Sequence, residues 1–386
     1  MSVSELFFAL LRFTICEKPL PEKVKTVLSE HSDAYASLFA LSQKHDLAHL
    51  VCEALDQNYL LPENEIGEKF RHQRMSAAFR YEQLHYEYER LCEALENAGI
   101  HYMPLKGSVI RDLYPEPWYR TSCDIDVLVH KSDLERTCDL LRTELNYKDH
   151  MEDTHDVEFW ASENIHVEIH FDLIDKFPKF NPVLSRAWET ATLQENTKYH
   201  HLMTDEMFYF YHIGHMAKHV INGGCGIRTF LDLWILDHKL NHDQEKRDTL
   251  LKEGGLFKFA QKTRKLSEVW FSESEKDEIS EAFERFLLQG GSYGTLENRV
   301  KVGHVKKGGK IRYFFSLVWL PYTHLKQVYP SLEKHKWAFP FYQVRRWFKV
   351  LFKGMNPGAK KHIQTSKNVT AEQREEVANL LKQLDL

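Results

Sequence analysis

No pair of cysteines stands at the CxxC spacing: Cys16, Cys52, Cys92, Cys123, Cys138 and Cys225 are scattered singly along the chain. That excludes a zinc knuckle and a disulfide-stapled scaffold, and makes a reducing cytoplasm the expected compartment. Long apolar runs are missing too. The most apolar later stretch, Tyr313 to Tyr322, contains Pro321 and falls far short of the roughly 20 residues that cross a bilayer. The N-terminus, MSVSELFFALLRF, has no basic residue ahead of its apolar part and no small-residue cleavage pattern behind it, so it is expected to be a first helix rather than a secretory signal. No repeat of fixed period occurs.

What remains is ordinary for a globular chain, with 43% hydrophobic and 28% charged residues over 386 positions. That length predicts two or three domains at roughly 150 residues each. The net charge of −5 hides an asymmetry. From Arg299 to Lys361 there are fifteen Lys or Arg against one acid, Glu333, so the rest of the chain is strongly acidic. Such a block points to an anionic partner for the C-terminal part.

Four regions follow from the patterning. Residues 1–98 read as a helical domain, most clearly from Tyr35 to Leu55, where Leu38, Leu41, Leu47, Leu50, Val51 and Leu55 form one stripe, and from Glu68 to Ala98, ended by Gly99. Residues 99–182 change character. Ile100–Leu105 and Cys123–His130 are strand-like, Ser132 is placed to cap a helix to Leu145, and Asp156–Ala161 with Ile165–Leu173 predict a hairpin across Ser162-Glu163-Asn164. Helix returns over 183–295, at Asp205–Val220, Arg228–Leu240, Leu256–Trp270 and Glu275–Leu288. Residues 296–386 form a basic, aromatic region ending in a helix with Thr370 and Gln373 as a capping box. The fold class expected is α+β, a small mixed-sheet core flanked by helical N-terminal and C-terminal regions.

The chemistry concentrates in the sheet region. In a strand, residues two apart share a face, so Asp124 and Asp126 project together while Ile125 and Val127 face the core. Two acids on one surface repel unless a cation lies between them, and phosphoryl chemistry wants such a pair for Mg²⁺, with Mn²⁺ as the alternative. In His166-Val167-Glu168-Ile169-His170 the alternation puts Glu168 on one face with both histidines, where it supplies a third carboxylate, as metal ligand or general base. Lys106-Gly107-Ser108 sits at a strand-to-helix junction suited to phosphate, with Lys106 and Arg120 adding charge. A zinc site built from His166, Glu168 and His170, or from the helical histidines His212, His215 and His219, is the rival metal reading; cleft lining beside Lys218 is preferred for the helical set, because no ligand quartet accompanies them.

Taken in order, Gly107-Ser108, Asp124-Ile125-Asp126 and Glu168 resemble the signature of the DNA polymerase beta-type nucleotidyltransferase superfamily, with Lys106 where an apolar residue is usual and a longer spacer from Val109 to Cys123. The chain is more closely similar to a poorly characterised bacterial nucleotidyltransferase family in Leu105-Lys106-Gly107, Leu113-Tyr114-Pro115, Arg120, Asp124 to Val129, Val167 to His170, then His212, His215, Lys218, His219, Arg228 and Asp232-Leu233. The resemblance implies transfer of a nucleoside monophosphate from an NTP such as ATP. On that reading Asp124, Asp126 and Glu168 are the catalytic and metal-binding residues, and Lys106, Gly107, Ser108, Arg120, His215, Lys218 and Arg228 line the nucleotide site. The acceptor stays open between a small metabolite, a protein side chain and RNA, and the rival from another class is a non-catalytic nucleotide-binding or membrane-associated adaptor. Between Trp337 and Phe352 aromatics alternate with Arg345, Arg346 and Lys349, which suits RNA, an anionic membrane surface or packing against the rest of the chain.

Overall fold

The computed structural model describes residues 1–152, 155–162, 164–173, 180–292, 294–353 and 357–386. Glu163, the centre of the expected hairpin turn, lies outside the described residues.

The N-terminal third is helical, as expected: Val3–Cys16, Glu22–Glu30, Ala34–Lys44, Ala48–Gln57 and Glu65–Ala98. The stripe from Tyr35 to Leu55 is not one helix. Asp46, with φ of 58°, breaks it into two; the first piece buries Leu38 and leaves Leu41 half-buried, and the second buries Leu50, Val51 and Leu55. A short-chain aspartate tolerates that left-handed backbone, so a continuous apolar period does not guarantee a continuous helix. Gly99 ends the long helix at φ 66°.

The sheet has five strands: β1 (Tyr102–Pro104), β2 (Asp124–Val129), β3 (Lys148–Glu152), β4 (Asp156–Ser162) and β5 (Ile165–His170), in the order β1-β2-β5-β4-β3. Among these strands the β2–β5 pair is parallel and the other three pairs are antiparallel, so the sheet is mixed. Its back is apolar. Ile125, Val127, Val157, Phe159, Val167 and Ile169 pack on Leu84, Leu91 and Leu95 of the long helix and on Cys138 and Leu141 of the Leu134–Thr143 helix. That helix begins after Asp133 with no side-chain cap bond; Ser132 lies in the preceding 3₁₀ turn, so the expected cap is corrected.

The front of the sheet meets a second core. Met103, Leu105 and Leu128 join a body formed by the N-terminal helices together with Asp205–Ile221, Ile227–Lys239, Phe257–Phe271 and Glu278–Leu288. Phe8 stacks on Trp270 at 4.8 Å, which ties the first helix to one beginning at residue 257. Such ring pairs contribute about 0.5–1.5 kcal/mol beyond their burial. The last helix, Ala371–Gln383, carries the expected Thr370–Gln373 capping box and returns Val377, Leu380 and Leu381 to this core. No described helix is long and apolar enough to cross a membrane. The α+β expectation, a mixed sheet flanked by helices, describes this arrangement.

Candidate active site

β2 carries Leu128 into the helical core and, from the same face, Asp126 and Asp124 to the border of a cleft. Parallel pairing sets Asp126 directly opposite Glu168 and Asp124 opposite His166. Glu158 of β4 in turn lies opposite Glu168. Three carboxylates therefore stand in one row across three strands, an arrangement that like-charge repulsion disfavours unless cations are supplied.

Two basic groups supply part of that need. Lys106 Nζ donates to Asp126 Oδ1 at 2.6 Å and lies 3.8 Å from Glu168 Oε2. Burial works against its charge, but Asp126 and Glu168 hold the ammonium well above its ordinary pKa. His170 Nε2 donates to the same Asp126 oxygen at 2.9 Å and lies 3.4 Å from Glu168 Oε2. Burial also opposes a charged His170, and hydrogen bonds to Asp126 and Glu168 outweigh it, raising its pKa. Glu168 shows the converse. Desolvation would raise it, yet the bond from His170 and the charge on Lys106 bring it down to about 2. Glu168 is thus held in the charged form that a cation ligand needs.

Among the described residues, Asp126, Glu168 and His170 each present a donor atom within 4.8 Å of the others. Two further groups of the same kind, His155-Asp156-His170 and His150-Glu158-His166, continue along the sheet front. The first group fits a hard divalent cation through its carboxylate oxygens, with Asp124 on the same strand face. Among the described residues the histidines of the Asp205–Ile221 helix form no such group: His212 Nε2 meets the Thr229 carbonyl at 2.9 Å, and His215 and His219 face each other at 3.2 Å.

Two cavities flank Lys106. One, of about 260 Å³, is lined by Lys106, Gly107, Arg120, Asp124, His215, Lys218 and Arg228. The other, of about 230 Å³, is lined by Asp156, Glu158, Glu168, His170 and Asp172, and shares Lys106, His215 and Lys218 as its wall. Burial, then the neighbouring His219 and Lys106, push His215 well below its ordinary pKa, so it is a neutral wall residue.

The structure brings most of the expected residues to one place, with three changes of detail. Arg120 spends its guanidinium on Asp232, through Nε at 2.8 Å and Nη2 at 2.9 Å, while Tyr114 donates to the same carboxylate. Ser108 is buried, lines neither cavity, and donates its backbone N–H to the Leu105 carbonyl. Gly107 does permit a close approach, but the neighbour is Ser122, whose Cβ would lie 3.3 Å from an added Cβ. The strained backbone belongs instead to Lys106, at φ 46° and ψ −119°, held there with its ammonium on the carboxylates. Arg228 reaches the cavity wall while bonding Asp46 and Thr121.

Sequence reasoning weighed His170 only as a zinc ligand and passed over Asp156. The alternating HVEIH strand signalled His170; Asp156 is placed by its register opposite His170.

A family model described as an uncharacterised nucleotidyltransferase matches residues 32–272. The chain belongs to that family. The match runs from the helices before the sheet to the end of the Phe257–Phe271 helix and so contains the whole carboxylate row, the acidic cavity and all of the basic cavity's lining but Ser292. Searches of curated proteins and of solved structures found no match.

Proposed function

We propose that this nucleotidyltransferase uses a divalent cation, Mg²⁺ by default and Mn²⁺ as the alternative, to move a nucleoside monophosphate from an NTP to an acceptor hydroxyl with release of pyrophosphate. The observation that carries this reading is the register pairing of Asp126 with Glu168, beside Asp124, at the junction of a basic and an acidic cavity. Asp124, Asp126 and Glu168 would hold the cation, which supplies the charge that draws and polarises the phosphates.

The chain's own groups do the positioning. Lys218 and Lys106 face both cavities and Arg228 the basic one, so the triphosphate is assigned to the basic side and the acceptor to the acidic side. The acceptor oxygen bonds to the α-phosphorus as the bond to the bridging oxygen breaks, and that electron pair leaves with pyrophosphate. The acceptor's proton passes to solvent or to one of the neighbouring carboxylates, Glu168 among them. Arg120, clamped by Asp232, builds the wall and orients Thr121, whose carbonyl accepts from its Nη1 at 2.6 Å. In-line transfer asks little more of a protein than placement and charge.

The test is transfer of label from each α-phosphate-labelled NTP to a cell extract, with the parent and Asp126→Asn compared. A labelled product that depends on Asp126 is expected. NTP binding without any Asp126-dependent product would replace the enzyme by a non-catalytic nucleotide-binding adaptor.

A further inference from the structure

The region after residue 295 lies beyond the family match, which ends at 272, and concentrates exposed apolar side chains together with positive charge. Ile311 is 73% exposed, Phe315 62%, Trp337 74% and Phe341 68%. All but Trp337 fall on two helices. On Lys310–Val318 the outward positions are Ile311, Phe314 and Phe315; on Phe339–Lys353 they are Phe341, Val344 and Phe348, recurring at three and four, with Trp337 just ahead. That period gives each helix one continuous apolar stripe.

The inward sides of the same helices hold them together. Arg346 donates to the carbonyls of Val318 at 2.8 Å and Leu317 at 3.1 Å, Trp347 Nε1 to Val318 at 3.0 Å, and Gln343 to Leu320 at 2.5 Å. Leu325, Leu332 and Ala338 add a small core beneath. Trp337 and Phe341 meet on the exposed side with ring centroids 6.2 Å apart, so the second stripe is a built surface. Its rim is basic, within a stretch where Glu333 is the one acid against fifteen Lys or Arg, and Lys326 already pairs with it at 3.1 Å.

A large exposed apolar patch marks an interaction site, and the rim charge selects an anionic partner. Aromatics alone would serve base stacking, whereas Ile311 and Val344 offer a base no platform and offer acyl chains ordinary contact. A bilayer provides both an anionic plane and an apolar interior within the depth of a side chain. We propose that this surface seats the protein on an anionic lipid bilayer as a peripheral protein, with Trp337, Phe341, Ile311 and Phe315 at the headgroup boundary and Lys336, Arg345 and Lys349 against the lipid phosphates. The inference is independent of the nucleotidyl-transfer reading.

The experiment is flotation of the full chain with vesicles of equal parts phosphatidylcholine and phosphatidylglycerol, and with phosphatidylcholine alone. The protein rises with the anionic vesicles only, and raised salt releases it. Trp337→Ser with Phe341→Ser, and separately Lys336→Glu with Lys349→Glu, each lower the bound fraction roughly tenfold while the melting curve stays at that of the parent. Absence of flotation, equal flotation with neutral vesicles, or displacement from the vesicles by single-stranded RNA that binds more tightly would each overturn the proposal, the last assigning the surface to RNA.

Discussion

The floor of the cleft and the helical core each bury a histidine, and the two imidazoles are pushed in opposite directions. His170 is raised, because the hydrogen bonds to Asp126 and Glu168 outweigh its burial. His45, in the core beside Phe7, is lowered to about 4 by burial and by the charge of Lys44. Burial alone therefore does not decide charge; partners do. The cleft floor gathers charges that compensate one another incompletely, leaving room for a cation and phosphates. The core excludes charge and supplies the rigidity that keeps the carboxylates in register.

The comparison breaks most visibly if the cleft floor proves to be structural. Glu168→Gln keeps shape and removes charge; it is expected to lower nucleotidyl transfer on the order of a thousandfold, measured as initial rate with labelled NTP. A loss of folding in place of a loss of rate, read from circular dichroism, would assign the row to stability. The core counterpart is Phe230→Ala. Phe230 is fully buried, 4.9 Å from Trp270 and 5.6 Å from Phe283, so truncation costs about 3–5 kcal/mol in denaturant unfolding. The rate per folded molecule should change only a few-fold.

Much of this contrast was legible in the chain, and the reasons differ residue by residue. Asp124, Asp126 and Glu168 could be found because strand alternation is local: acids at even spacing between Ile125, Val127, Val167 and Ile169 leave one face polar. β3 could not, since Lys148-Asp149-His150-Met151-Glu152 has no apolar alternation and owes its strand conformation to pairing with β4. The commitment of Arg120 to Asp232 spans 112 positions, and no short pattern encodes it. The break at Asp46 was hidden because the apolar stripe continues across it.

Acid titration sharpens the core side. The folded-state pKa of His45, about 4, lies below its ordinary 6.5, so the fold favours the neutral ring. Stability from this group is complete above about pH 6.5 and is lost as pH falls toward 4, by about 3 kcal/mol in all. His45→Leu should flatten that part of the stability profile, and an unchanged profile would mean that the ring is solvated. The smallest effect concerns Lys106. With Lys106→Met the carboxylates lose their resident cation, so added Mg²⁺ or Mn²⁺ should raise the melting temperature further than in the parent, by roughly 2–4 °C. An equal rise in both would show that the lysine and the metal do not share a site.

The central claim concerns which phosphorus is attacked. Parallel reactions with α-labelled and γ-labelled NTP, run on the full chain with Mg²⁺, decide it. The account predicts that the α-label enters the product while the γ-label leaves as pyrophosphate; γ-label in the product, or inorganic phosphate as the sole labelled release, would contradict it.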